Sequence, residues 1–284
     1  MSGRFGYAGR TALVTGAASG IGAALAAELA ARGAHLILAD INAEGLEAVA
    51  EPLRQSGHAV ATHVVDMADA AAITGLAKAV EAAGEPIHLL INNAGIALGG
   101  LFEEVDMADF ERLLDINLYG VIRMTRAFLP RLRAVDEAHI VNVSSIFGIV
   151  APAGQAAYST AKFGVKGFSN ALRHELAGSS ISVTTVHPGG VSTNIAASAK
   201  PPPGASEAEI AAAKKQTQRL LVMPPAEAAR IILDGVARRK PRIFVGRDAH
   251  TMMWLERLFP TRYWSLMQSM VGARRSGSKA PSKG

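Results

Sequence analysis

The amino-acid sequence predicts an α/β fold: one doubly wound domain with a mostly parallel seven-stranded sheet, helices on both faces and a C-terminal helical extension. Two observations carry this. Up to about residue 193, short β-branched runs alternate with alanine-rich helical stretches, the pattern of repeated βαβ units. Most of the strand runs are apolar throughout rather than alternating, as strands covered on both faces must be. The 284 residues are 49% apolar and 19% charged, which supplies a sizeable core and excludes a disordered chain.

In chain order, strands are expected at 11–15, 35–40, 59–66, 88–92, 139–144 and 181–187. Helices are expected between them at 21–32, 43–55, 70–83, 110–133 and 158–177, with right-handed crossovers placing them on both faces. Near residue 194 the character changes. Lys200-Pro-Pro-Pro-Gly204 reads as a loop, 206–219 as a polar helix, and Pro224-Pro225 opens a helix running through 237. A last strand at 242–245 closes the sheet. Pro260 divides the apolar stretch 251–272, which holds Trp254 and Trp264, into two short amphipathic helices. The Gly, Ser, Lys and Pro tail from 276 is expected to be disordered.

Composition excludes several chemistries. With no cysteine there is no disulfide, thiolate nucleophile or Cys-ligated metal, and no His-x-x-x-His pair suggests a metal site, so none is expected. No Gly-x-Ser-x-Gly elbow supports a serine hydrolase, and Glu103-Glu104 reads as solvated surface. The uncharged run 140–161 exceeds the roughly 20 residues of a membrane span, but its Asn, Ser, Pro, Gln and Gly content rules one out. Residues 1–9 lack the apolar stretch of a signal peptide, so a cytoplasmic location is expected. Charge is uneven: residues 1–193 carry 13 basic and 18 acidic side chains, 194–284 carry 16 and 6. No nucleic-acid-binding signature accompanies the basic third, so nucleic acid is not expected as a partner.

Thr15-Gly16-Ala17-Ala18-Ser19-Gly20-Ile21-Gly22 lies between the first strand and the first helix. There the backbone of Gly16, Ser19, Gly20, Ile21 and Gly22 can approach a pyrophosphate at a positive helix end. The spacing Gly-x-x-x-Gly-x-Gly departs from the commoner Gly-x-Gly-x-x-Gly, but its context and the acid that follows point to a dinucleotide. That acid is Asp40, ending the second strand, where a carboxylate can bond the adenosine ribose hydroxyls. A 2′-phosphate would be repelled there by as much as ~4 kcal/mol at 4 Å and an effective dielectric of 20. Neighbouring Ile41 and Asn42 and the loop's Ser19 supply no cation, so NAD is expected over NADP. Asp66-Met67, Asn92-Asn93-Ala94-Gly95 and Pro188-Gly189-Gly190-Val191-Ser192-Thr193 follow later strands and should line the same crevice.

With Ser145 and Tyr158-x-x-x-Lys162, these segments make the chain resemble the short-chain dehydrogenase/reductase family, Rossmann-fold oxidoreductases that use NAD or NADP, over roughly residues 9–193. The resemblance implies Asp66 and Met67 at the adenine, Asn93, Ala94 and Gly95 along the cofactor, and Pro188, Gly189, Val191 and Thr193 around the nicotinamide. It implies that the Ser145 hydroxyl meets the substrate oxygen, and that Asn117 holds a water beside the lysine. A homodimer or homotetramer is implied as well.

Tyr158 and Lys162 stand four apart at the start of a helix, so they share one face. A phenol titrates near pH 10, and bringing it near 7 requires about three units, or ~4 kcal/mol. A neighbouring cation supplies roughly one to three units, so Lys162 with the positive nicotinamide should make Tyr158 the general acid/base of hydride transfer. Two alternatives keep the fold: a dinucleotide-sensing or membrane-peripheral interaction protein, and an epimerase or dehydratase.

The apolar stripe of 251–272, flanked by Arg257, Arg262, Arg274 and Arg275, suits a subunit interface, the substrate mouth or a membrane surface. A hydrophobic secondary alcohol or ketone is the expected substrate. The organisation that follows is an N-terminal tail (1–9), a dinucleotide-binding and catalytic core (10–193) and a substrate lid, helix and last strand of the same domain (194–248). Amphipathic C-terminal helices (249–273) and a tail (274–284) complete it.

Overall fold

The computed structural model describes residues 4–195, 199–200, 207–218 and 220–268. Seven parallel strands form one sheet: β1 (Thr11–Thr15), β2 (His35–Asp40), β3 (Val60–Val64), β4 (Leu89–Asn92), β5 (Ala138–Val143), β6 (Ile181–Pro188) and β7 (Arg242–Val245). Their order is β3-β2-β1-β4-β5-β6-β7. The order reverses between β1 and β4, which pair through Ala12 with Leu89, Leu13 with Leu90 and Val14 with Ile91. A crevice therefore opens beyond the carboxyl ends of these two strands.

The unbroken apolar runs have the cause expected of them. Alternate residues of one strand enter opposite cores: Val14, Leu36, Leu38 and Val141 pack on one face, Leu13, Ile37, Leu90 and Ile140 on the other. The first face is covered by α1 (Gly20–Ala31), α2 (Ala43–Gln55) and α8 (Pro225–Ala237), through Leu25, Leu29, Leu46, Ile232 and Leu233. The second is covered by α3 (Ala70–Ala82), α5 (Gly120–Arg133) and α6 (Ala156–Glu175), through Ile73, Leu76, Met124, Phe128 and Leu172. Asn42 and Asp69 cap α2 and α3 by accepting main-chain amides of the first turn.

Three differences from expectation have local causes. The helix expected at 110–133 begins earlier, as α4 (Met107–Leu114), and is widened by a π-turn at Asp115–Tyr119 before α5. Such single turns accommodate an extra residue and recur at functional sites; this one contains buried Asn117. The strand expected to run to 144 stops at Val143 as β5, and Ser145 caps a 3₁₀ turn at Ile146–Gly148 by accepting the Phe147 amide. The C-terminal extension begins directly after β7, as α9 (Arg247–Leu258), and a helical turn resumes at 263–268 beyond Pro260. The polar helix α7 (Glu207–Gln218) lies where expected. The Pro-rich loop from 201 and the tail from 276 fall outside the described residues.

Candidate active site

The glycine-rich turn leaves β1 and opens α1. Gly16 has φ +66°, a left-handed conformation, and a Cβ there would lie 2.7 Å from the Ala94 Cα. At Gly22 a Cβ would run into the Gly16 carbonyl. Side chains are thus excluded where the turn passes the loop after β4. Ser19 stands at the N-cap of α1 but makes no side-chain cap bond, and no acidic residue occupies the first turn, an arrangement suited to an anionic group.

Asp40 is held at the rim of this turn, Oδ2 accepting Ala18 N at 3.0 Å and Oδ1 accepting Asn42 N at 3.0 Å. Each oxygen retains a lone pair for a ribose hydroxyl. Asp66 accepts Ala68 N at 2.9 Å and pairs with Arg112 at 3.2 Å, next to buried Met67. The Asn93 side chain turns toward the protein: Nδ2 donates to the Thr15 and Gly16 carbonyls at 3.0 and 3.1 Å. Ala94 N donates to Thr15 Oγ1 at 3.1 Å. These residues bolt the β4 loop to the glycine-rich turn and leave the backbone of Gly95 facing the reacting centre. A Cβ at Gly95 would be 3.2 Å from Asn117 Oδ1 and 3.5 Å from Lys162 Nζ. The glycine cradle and the placed carboxylate of Asp40 fit a dinucleotide along the crevice.

Tyr158 and Lys162 share one face of α6, with Lys162 Nζ 5.6 Å from the centre of the phenol ring. Lys162 is 3% exposed and donates to the Val143 carbonyl at 3.0 Å. Burial lowers its titration to about 8. Tyr158 is half-buried and edge-on to Phe147 at 6.2 Å. Burial pushes its phenol up to about 12, against the opposing pull of the Ser145 side chain. In the chain by itself, without a bound nicotinamide, burial dominates and the ring holds its proton.

Asn117 is likewise more occupied than expected. Its Oδ1 accepts Ile96 N and its Nδ2 donates to Ile96 O, both at 2.8 Å, so its amide fixes the strand-end loop beside Lys162. The Pro188–Thr193 segment closes the crevice from the β6 side, with Val191 4% exposed.

Three contributors were not legible beforehand. His187, fully buried, has Nδ1 2.9 Å from the Ser145 carbonyl; an imidazole between Val186 and Pro188 was the available signal. Asp248 accepts Gly190 N at 2.6 Å, and Tyr263 Oη accepts Ala151 N at 3.1 Å. Both come from the C-terminal extension, where no spacing links them to the crevice.

Known proteins share this sequence and fold. The short chain dehydrogenase family pattern matches residues 10–203. The SadH protein of Mycobacterium tuberculosis, an oxidoreductase by name, is 39% identical over 267 residues, spanning 93% of this chain and 96% of that protein. A short-chain dehydrogenase/reductase from Burkholderia phymatum, solved with NAD, superposes with a TM-score of 0.81 at 30% identity, over 89% of this chain and 94% of that one. A metagenomic short-chain oxidoreductase solved with NADP gives 0.68 at 28%, over 84% and 97%. The chain belongs to the short-chain dehydrogenase/reductase family of NAD(P)-binding oxidoreductases.

Proposed function

We propose that the protein moves a hydride between the nicotinamide of NAD and a hydrophobic secondary alcohol or ketone, with Tyr158 as general acid/base. The observation that carries this is the trio itself: a half-buried phenol whose titration the Ser145 side chain draws down, with the buried Lys162 ammonium 5.6 Å from its ring, beside a glycine-lined crevice.

Gly16, Ser19, Gly20, Ile21 and Gly22 would hold the pyrophosphate, Asp40 the adenosine ribose, Asp66 and Met67 the adenine, and Asn93, Ala94 and Gly95 the middle of the dinucleotide. Pro188, Gly189, Val191 and Thr193 would flank the nicotinamide, which supplies the hydride acceptor or donor when bound. In the reducing direction Tyr158 gives its phenolic proton to the substrate oxygen while Ser145 orients that oxygen and stabilises its developing charge. In the oxidising direction Tyr158 must first lose its proton, which the buried Lys162 charge favours electrostatically. Asn117 holds the Ile96 loop beside that ammonium.

The carboxylate of Asp40 supports NAD over NADP, since a 2′-phosphate would meet it at close range. Phe147, edge-on to Tyr158 at 6.2 Å, puts an apolar ring beside the phenol and supports a hydrophobic substrate. The lid expected over 194–223 lies partly outside the described residues; Leu220 and Val222, at its end, are exposed apolar side chains that a substrate could cover. Exposed Met107, Tyr119 and Phe163 on α4, the π-turn and α6 support a homo-oligomer. A peripheral membrane contact is favoured by Trp254, Leu258 and Phe259, exposed together beside Arg257 and Arg262. Among the described residues no helix is long and apolar enough to cross a membrane.

The test is NADH formation, followed by absorbance, over secondary alcohols graded from short to long, for the native protein and Tyr158→Phe. Turnover rising with chain length and lost by roughly 10²- to 10⁴-fold in the variant is expected. Tight NADH binding with no turnover across the panel would favour a sensor, and a trapped keto intermediate would favour an epimerase or dehydratase.

A further inference from the structure

The loop from Pro188 to Thr193 is held from outside the strand that delivers it. Gly189 N donates to the Val245 carbonyl at 2.9 Å, the Gly190 carbonyl accepts Val222 N and Met223 N at 3.0 Å each, and Ser192 N donates to the Met223 carbonyl at 2.8 Å. One further hold is a side chain. Asp248, in the first turn of α9, accepts the Gly190 amide at 2.6 Å through Oδ2. A Cβ at position 189 would run into both oxygens of that carboxylate, so glycine there lets Asp248 close on the loop.

Asp248 is itself firmly placed. The next residue, Ala249, is fully buried, and the His250 ring lies 5.4 Å from Phe244 of β7. The same extension reaches the opposite lip of the crevice, where Tyr263 Oη accepts Ala151 N at 3.1 Å. The far end of the loop meets the glycine-rich turn: a Cβ at Gly20 would be 3.1 Å from the Thr193 methyl. The loop is thus stretched between the Asp248 carboxylate at one end and the first turn of α1 at the other.

We propose that Asp248 is a positioning residue for the cofactor: through the Gly190 amide it fixes the segment bearing Val191 and Thr193, and so sets how tightly the nicotinamide half of the dinucleotide is held. The inference rests on the reading of that segment as the nicotinamide wall. An amide bonded to a carboxylate is held more strongly than one bonded to a neutral acceptor, so the segment would be held less firmly when the carboxylate is removed.

The experiment titrates the native protein, Asp248→Ala and Asp248→Asn with NADH and, separately, with ADP-ribose, which lacks the nicotinamide. NADH is read by its fluorescence and ADP-ribose by heat. Asp248→Ala should raise the Kd for NADH about tenfold, the loss of one charge-assisted hydrogen bond, while leaving ADP-ribose binding unchanged. Asp248→Asn, which keeps an acceptor oxygen, should recover most of the NADH affinity. Equal weakening of both ligands, as a general structural role would give, or no weakening of NADH, would overturn the proposal. If the native protein bound neither ligand, the dinucleotide reading itself would fall. Should Asp248→Ala not fold, Asp248→Ser, whose oxygen stops one bond short of the amide, is read by the same criteria.

Discussion

His187 Nδ1 stands 2.9 Å from the carbonyl oxygen of Ser145, so the residue whose side chain draws down the Tyr158 titration is held in turn by a buried imidazole. The carbonyl can only accept, which places the proton on Nδ1. Burial holds the ring's titration down to about 4, so this donor persists through the neutral range. His187→Leu removes this donor and leaves the Ser145 carbonyl with the Gly148 amide alone, at 3.0 Å. The expected result is a kcat lower by about tenfold with NADH affinity unchanged, measured by steady-state kinetics beside a binding titration. An unchanged kcat would mean that Ser145 is oriented by the 3₁₀ turn alone.

Lys162 gives a pH signature of its own. Its titration falls from the ordinary 10.5 to about 8 because the ammonium is buried. Below pH 8 both folded and unfolded chains carry this proton, and the fold bears the full burden of an interior charge. Between 8 and 10.5 the folded chain has released the proton while the unfolded chain keeps it, so stability rises with pH. At about 1.4 kcal/mol per unit the gain is roughly 3 kcal/mol. Tyr158, raised to about 12 from 10, acts in the opposite sense above pH 10, so pH 8–10 is the clean window. Urea unfolding of Lys162→Met should show a flatter stability curve across that window, with higher stability than the native protein at pH 7.5 and much less activity.

The sheet and its crevice were readable because they follow from local pattern: apolar runs for strands covered on both faces, glycines where Gly16 and Gly22 touch neighbouring backbone. The spacing of Tyr158 and Lys162 placed both on one face for the same reason. Burial was not readable in this way. That Lys162 sits under Val143 with its charge disfavoured, and that the phenol is pushed up, depends on residues from β5 and the 3₁₀ turn that meet only in the fold. The π-turn escaped notice because Asp115–Tyr119 carries no residue that breaks a helix. Asp248 and Tyr263 escaped because their partners, Gly190 and Ala151, are 58 and 112 residues away.

Asp40 offers a test of cofactor choice that does not depend on knowing the substrate. Its two oxygens take the amides of Ala18 and Asn42, which fix the carboxylate at the rim of the glycine-rich turn. Removing the charge in Asp40→Ala should weaken NADH and strengthen NADPH, moving the ratio of their dissociation constants by about tenfold or more after solvent screening. Fluorescence titrations with the two cofactors measure it. A constant ratio would place the ribose away from Asp40.

His139, like His187, should contribute to the acid limb of stability. It is fully buried in β5, with Nε2 2.8 Å from Thr184 Oγ1. The Thr184 hydroxyl donates to the Lys240 carbonyl at 2.7 Å, so it must accept from the imidazole, which puts the proton on Nε2. Nδ1 is then a bare acceptor, buried and without a partner, facing apolar core near Phe5. A second proton would find nothing to bond, and burial holds the titration down to about 3. The unfolded chain takes that proton near pH 6.5, so the stability this residue contributes is complete above 6.5 and drains away as pH falls toward 3. At about 1.4 kcal/mol per unit this one side chain accounts for several kcal/mol of the acid loss. His139→Gln keeps a donor for Thr184 but has no titration there. Its melting temperature should fall less steeply than that of the native protein between pH 6.5 and 4, and parallel curves would show that other groups control acid unfolding.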